Sequence, residues 1–211
     1  MTNPALERLL QHPALFRTGH SKTAVSDSIL STGYPPLDEL LAWGGWPAGK
    51  LIEIIPEAIA IGELTLLLPT LADITREGRA VVLVDPPYVP YAPALTQHHV
   101  VLDRCLITQS RDHKDPMWTA EQCLKSGACG AVVLWEQALL NDRHLRRLQL
   151  ATESGACLAF LFRCPRAATQ ASPAALRLLL APNMGARDID AGNAGSHGVL
   201  TQRRILRREN G

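Results

Sequence analysis

Nearly continuous apolar runs, separated by segments of helical character, set the pattern of this chain. Residues 51–55 (Leu-Ile-Glu-Ile-Ile), 80–85 (Ala-Val-Val-Leu-Val-Asp), 129–135 and 156–162 (Ala-Cys-Leu-Ala-Phe-Leu-Phe) show almost no polar alternation. Strands of that kind are buried on both faces, as in a parallel sheet covered by helices. A short strand is predicted at 104–108, with two more at 175–181 and 198–206. A helix is predicted over 63–77, stopping near Gly78 with Pro69 inside it. A second is capped by Asp115, has Pro116 at its first position and ends at Gly127. A third starts at Asn141, places Leu145, Leu148 and Thr152 on one face, and is ended by Gly155. The expected fold class is therefore α/β, three layers around a mainly parallel sheet.

The ends read differently. Leu6, Leu9, Leu10, Leu15 and Phe16 give a short helical pattern that Pro13 interrupts, and residues 18–28 are polar. Residues 1–28 are thus expected to form a helical arm and linker, residues 29–182 the core, and residues 183–211 a flexible loop followed by a basic strand or tail. The arm, through Leu6, Leu9, Leu10 and Phe16, either docks on a partner or folds back on its own core. The tail carries Arg203, Arg204, Arg207 and Arg208, the densest basic segment. It suits either contact with a phosphate backbone or an edge strand guarded by charge. Arg143, Arg146 and Arg147 read as a solvated helix face.

Composition narrows the classes. The 211 residues suit one α/β domain with short extensions, and the 46% apolar content supports a sizeable core. A formal net charge of +1 argues against a dedicated DNA-binding protein. The five cysteines show no CxxC spacing, and no His/Cys cluster has zinc-site spacing, so buried reduced thiols and no metal are expected. No stretch reaches membrane-span length and no signal segment is visible, which predicts a cytoplasmic protein without membrane contact.

Three segments carry a resemblance. The first runs through Ser31-Thr32-Gly33-Tyr34, Leu37-Asp38 and Gly44-Gly45-Trp46-Pro47-Ala48-Gly49-Lys50 into the first apolar strand. The second is Leu83-Val84-Asp85, and the third Ser126-Gly127-Ala128 leading into residues 131–134. In order and spacing they resemble the core of RecA recombinases over roughly residues 30–165. Within that group the chain resembles ImuA, the accessory family of bacterial damage-induced mutagenesis operons, which is related to the SulA division inhibitors. Residues 61–69, 86–95, 126–132 and 145–151, together with Gly44-Gly45-Trp46-Pro47, carry this finer likeness. The Pro/Tyr-rich run Pro86-Pro87-Tyr88-Val89-Pro90-Tyr91 is its most distinctive part.

Set against a phosphate-binding loop, the equivalent segment is degenerate. Such a loop needs small residues that let backbone N–H groups close around phosphates, a lysine for their charge and a hydroxyl for magnesium. Here Pro56 or Glu57 stands for the first glycine and Gly62 is retained. Glu63 occupies the lysine position and Leu64 the hydroxyl position, with Thr65 one residue late. Ile59 and Ile61 resist the backbone freedom that glycine gives. The strand-end aspartate that would hold magnesium aligns with Trp135, with Glu136 on the other side of the strand, and the catalytic glutamate aligns with Pro87. Asp85 reads most simply as a strand-end cap and Thr65 as a first-turn helix residue.

The expectation is a protein with no catalytic residue, no cofactor and no ATP hydrolysis. Pro56, Ile59, Ile61, Pro86, Pro87, Tyr88 and Tyr91 are expected to meet at the carboxyl ends of the strands, as a plugged pocket or as a partner-binding patch. Trp43 and Trp46 are open to the same two readings. The resemblance implies a scaffold of translesion DNA synthesis. Its implied partners are an inactive Y-family polymerase homologue (ImuB) and, through it, an error-prone C-family polymerase and the sliding clamp. RecA and a second copy of the chain are further implied partners, and a weak DNA contact is the reading that the basic tail leaves open. The alternatives are an inhibitor of the division protein FtsZ and a divergent ATPase.

Overall fold

The computed structural model describes residues 29–57, 62–109, 116–136, 140–182, 187–193 and 203–206. A two-residue pairing of β1 (Ile29–Leu30) with β2 (Trp46–Pro47) brackets helix α1 (Pro35–Leu40). The core strands are β3 (Leu51–Pro56), β4 (Ala80–Val84), β5 (Cys105–Thr108), β6 (Cys129–Trp135), β7 (Leu158–Phe162) and β8 (Leu176–Pro182). They pair in the order β8-β3-β7-β6-β4-β5, all parallel. In register, Trp135 lies beside Phe162, Phe162 beside Ile54, and Ile54 beside Leu178.

Helices cover both faces, because β3, β4, β6 and β7 are buried along their whole length. On one face α1, α2 (Leu68–Arg76) and α3 (Ala92–Gln97) bring Leu37, Leu71, Ile74 and Leu95 onto Ile52, Leu83, Val133 and Phe160. On the other face α4 (Pro116–Lys125) and α5 (Asp142–Gly155) set Leu124, Leu145 and Leu148 against Val82, Val132 and Leu161. The expected three-layer α/β architecture is present, and no helix among the described residues is long and apolar enough to cross a membrane.

Four local expectations change. The helix expected over 63–77 is divided into a 3-10 turn, Glu63–Leu66, and α2. Pro69 has no N–H to offer the carbonyl four residues back, so a continuous helix loses that bond, whereas the first turn of a helix tolerates proline. The carbonyl in question, Thr65, accepts instead from the Tyr34 hydroxyl at 3.1 Å.

At the end of α5 the left-handed position is taken by Ala156 (φ +49°), not by Gly155. Gly155 serves close packing: a Cβ there would lie 1.7 Å from the Leu124 carbonyl oxygen of α4. The start of α5 does follow the sequence signal, since the Asn141 side chain accepts from the His144 N–H at 3.1 Å.

Part of the expected loop at 183–197 forms β9 (Arg187–Asn193), antiparallel to β8, and β10 (Arg203–Leu206) pairs antiparallel to β9. No apolar run marks β9. Its pairing satisfies backbone groups along β8 that would otherwise form a sheet edge. Finally, the Arg147 guanidinium does not merely face solvent. Its Nη2 donates to the buried Glu121 carboxylate of α4 at 2.9 Å, joining the two helices. The arm residues Leu6, Leu9, Leu10 and Phe16, and Arg207 and Arg208 of the tail, lie outside the described residues. Arg203 and Arg204 are described only as backbone of β10.

Candidate functional site

The carboxyl ends of the parallel strands are where sheets of this kind build ligand sites. Strand β3 ends at buried Pro56, and the Glu57 N–H donates to the Leu180 carbonyl at 2.8 Å, holding this exit against β8. After it, Gly62 takes a left-handed conformation (φ +80°) at the head of the 3-10 turn. The turn places Glu63 half-buried, with its Oε2 enclosed and without a hydrogen-bond partner. Leu64 packs against the core face lined by α1, α2 and α3. The Thr65 N–H donates to the Gly62 carbonyl at 3.0 Å, and its carbonyl is held by Tyr34. An anion approaching this turn meets a carboxylate where charge complementarity calls for a cation.

Two strand ends complete the region. Trp135 closes β6, is 8% exposed, and stacks on Phe162 with ring centroids 5.1 Å apart. Its Nε1 is buried without a hydrogen-bond partner. Glu136 turns to the opposite face of the sheet, as alternation requires. Asp85, after β4, is buried in a left-handed conformation (φ +46°), which aspartate tolerates better than most side chains. Its N–H donates to the Thr108 carbonyl at 2.9 Å and fastens the end of β4 to β5.

The apolar residues expected to meet here are divided. Pro56 and Pro86 are buried, whereas Pro87 is exposed and Tyr88 and Tyr91 are 71% and 73% exposed. Val89 between them is 66% exposed. The chain leaving β4 passes from buried Pro86 to exposed Pro87 and Tyr88, and β7 and β6 stand between that exit and the exit of β3. Three strand spacings put the two loops roughly 14 Å apart. Ile59 and Ile61 lie outside the described residues. Trp46 is core: fully buried, edge-on to Phe160 at 5.2 Å, with its Nε1 donating to Thr70 Oγ1 at 2.9 Å. Trp43 is partly buried against the same core face.

Sequence reasoning missed a buried ion cluster. Glu53, in the middle of β3, accepts from Arg163 Nη1 (3.2 Å), Arg177 Nε (2.8 Å) and Ser172 Oγ (2.7 Å). Arg163 also donates to Glu136 Oε1 (3.1 Å) and Gln170 Oε1 (3.0 Å), and Arg177 to the Ala167 carbonyl. Glu136 takes two further donors, the Leu140 and Cys164 N–H groups, each at 3.0 Å. Burial pushes the Glu136 carboxyl upward, but Arg163 and those two N–H groups outweigh it and hold it below the ordinary glutamate range. The cluster fixes the segment after β7, including the 3-10 turn Pro165–Thr169, against β3, β8 and the end of β6. One sign was visible in the sequence: a lone glutamate inside the apolar strand at 51–55. Among the described residues no group of three or more His, Cys, Asp or Glu side chains is disposed to hold a metal.

Comparison with known proteins agrees with this architecture. The RecA N-terminal domain profile matches residues 3–149. Protein RecA of Blastochloris viridis is 30% identical over 139 residues, covering 65% of this chain and 39% of that protein. Protein RecA of Thioalkalivibrio sulfidiphilus is 31% identical over 140 residues, with 65% and 40% covered. That of Chlorobium limicola is 30% identical over 137 residues, with 64% and 39% covered. The matched stretch thus spans about two fifths of the relatives' length. With a profile match over more than half its length and a sheet of six parallel strands between helical layers, the chain belongs to the RecA N-terminal domain family.

Proposed function

We propose that this chain is a non-catalytic accessory factor of damage-induced translesion DNA synthesis, of the ImuA kind. In this reading it recruits partner proteins and neither binds nor hydrolyses ATP productively. The observation that carries it is the pair Glu63 and Trp135. A carboxylate stands where a phosphate-binding loop has its lysine, and an indole stacked on Phe162 fills the strand end where a magnesium-binding aspartate belongs. Phosphoryl transfer depends almost wholly on positioning and charge stabilisation, so these replacements, with Pro87 in place of the base, remove the means of catalysis. Tyr88, Val89 and Tyr91 then supply an exposed apolar loop for a partner. The finer likeness at residues 86–95 favours the mutagenesis role, with an inactive Y-family polymerase homologue as direct partner.

The test is affinity capture of the tagged chain from DNA-damaged host cells, beside a Tyr88→Ala, Tyr91→Ala variant. The expected result is recovery of the inactive polymerase homologue, the error-prone polymerase or RecA by the parent chain, and at least tenfold less by the variant. Recovery of FtsZ alone would replace the reading with division inhibition. Magnesium-dependent ATP turnover by the purified chain would replace it with an ATPase.

A further inference from the structure

Away from this site, helix α5 carries a basic stripe on the outer surface of the α4–α5 layer. Arg143, Arg146, Arg147 and Leu150 stand at i, i+3, i+4 and i+7, so they share one helical face over roughly 10 Å of axis. All four are exposed, Leu150 to 64%. The helix is fixed from beneath. Leu145, Leu148, Ala151 and Thr152 are buried, and Gln149 Oε1 accepts from the Leu51 N–H of β3 at 2.9 Å. The stripe therefore sits on a rigid element.

Its charges are unequally employed. Arg147 donates to Glu121 of α4, and the same carboxylate has Lys125 Nζ 3.7 Å away. One buried carboxylate thus serves two cations. Arg143 and Arg146 make no side-chain hydrogen bond or ion pair among the described residues. At the head of the stripe an open groove of about 530 Å³ is lined by Leu140, Asn141, Asp142, Arg143, Gln170 and Ala171. Carboxylates bracket the stripe. Exposed Asp142 stands at its start, and Glu153 lies beyond its end, near Gln149 Nε2 (2.7 Å) and Lys50 Nζ (3.8 Å).

These features select one occupant. A nucleic-acid backbone presents unbroken negative charge, so it would meet both bracketing carboxylates, and its phosphates offer nothing to Leu150. A short peptide can place its carboxylates between the brackets and cover the leucine. Unpaired guanidinium groups suit carboxylates by charge and by their forked donors. We propose that this face binds an acidic segment of a partner protein that also carries an apolar side chain. Arg143 receives one carboxylate at the groove, Arg146 a second one turn on, and Leu150 the apolar side chain a further turn along. The surface lies on the opposite side of the sheet from the turn Glu63–Leu66, and the inference does not depend on the proposed function.

The experiment follows the fluorescence anisotropy of a labelled synthetic peptide as the full chain is titrated in. The peptide consists of glutamate and aspartate with leucine at every fourth position. The same peptide with alanine for leucine, and a labelled oligothymidylate, are the comparison probes. The acidic leucine peptide should bind, and more weakly as salt rises. Arg143→Glu with Arg146→Glu should lower its affinity by at least about tenfold. Leu150→Ala should lower it by about threefold, and should change nothing further for the alanine peptide. These substitutions leave the Arg147–Glu121 pair intact, and melting followed by circular dichroism should match the parent chain. Three results overturn the proposal. Peptide binding absent at low salt, or indifferent to the charge reversal, would leave the stripe a solvated face. Oligothymidylate bound more tightly than the peptide through the same two arginines would make it a nucleic-acid contact.

Discussion

Two regions at the same end of the sheet bury polar groups in opposite ways. Around Glu53 every charge has company: two arginines, two glutamates, a serine hydroxyl, a glutamine carbonyl and two backbone N–H groups close the set. Around Glu63 and Trp135, on the other face, a carboxylate oxygen and an indole N–H are enclosed without partners. A buried charge is retained only where neighbours replace the water it loses. The first region is therefore a structural clamp that depends on each of its members. The second gains little from its own polar atoms and rests on apolar packing, so it should tolerate their loss.

The largest effect is expected where the clamp is opened. Arg163→Met removes the cation shared by Glu53 and Glu136, leaving Glu53 paired with Arg177 alone and the buried Glu136 carboxylate without its ion-pair partner. Breaking such a pair from one side destabilises by about 3–5 kcal/mol. Equilibrium urea unfolding measures it, and a loss below about 1 kcal/mol would remove the distinction between the regions.

The same clamp sets an acid limb. The Glu136 carboxyl is held lower in the folded chain than in the unfolded one. Its contribution is therefore fully present above the ordinary glutamate value of 4.5 and is lost as pH falls through the lower folded value. Glu136→Gln should flatten the fall in unfolding free energy below that point and leave its slope near neutrality unchanged. An identical acid limb in the variant would show that Glu136 is not held down by its partners.

The contrast also marks what the sequence could reveal. The apolar run at 129–135 is β6 to the residue, and Asn141 caps α5 as its side chain and position imply. Those signals are local. The clamp was not legible because Glu53 and Arg163 are 110 residues apart, and only the β3–β7 pairing brings them together. The short helices α1 and α3 have too few turns to show a periodic face, and β9 is held by backbone pairing without an apolar run. At the candidate site the residue types were readable, while the separation of Pro56 from Tyr88 was not, since it follows from β7 and β6 inserting between β3 and β4.

A smaller effect separates two tryptophans that pack on the same strand. Trp46 meets Phe160 and donates to Thr70, whereas Trp135 stacks on Phe162 and donates to nothing. Replacing either by Phe keeps an aromatic contact and removes the N–H. Trp46→Phe gives up a buried hydrogen bond, while Trp135→Phe relieves an unpartnered donor, so the former should be less stable by about 1–2 kcal/mol. Equal losses from thermal unfolding of the two variants would mean that the Trp135 N–H is satisfied in solution.

The smallest effect is expected from rebuilding the phosphate-binding chemistry at the turn. In the proposed reading Glu63→Lys with Leu64→Thr places a cation and a hydroxyl at the motif positions, and it removes the enclosed carboxylate oxygen. It leaves Trp135 stacked on Phe162 at the strand end and Pro87 exposed beyond β4, so in the proposed reading it supplies neither a magnesium ligand nor a base. Nucleotide affinity should rise above that of the parent chain, since the repelling charge becomes an attracting one, while turnover stays at the level of the buffer blank. The measurement pairs equilibrium binding of a fluorescent ATP analogue with phosphate release. Binding without release supports packing at Trp135 as the deeper obstacle, and release well above the blank would show that the turn alone had silenced the site.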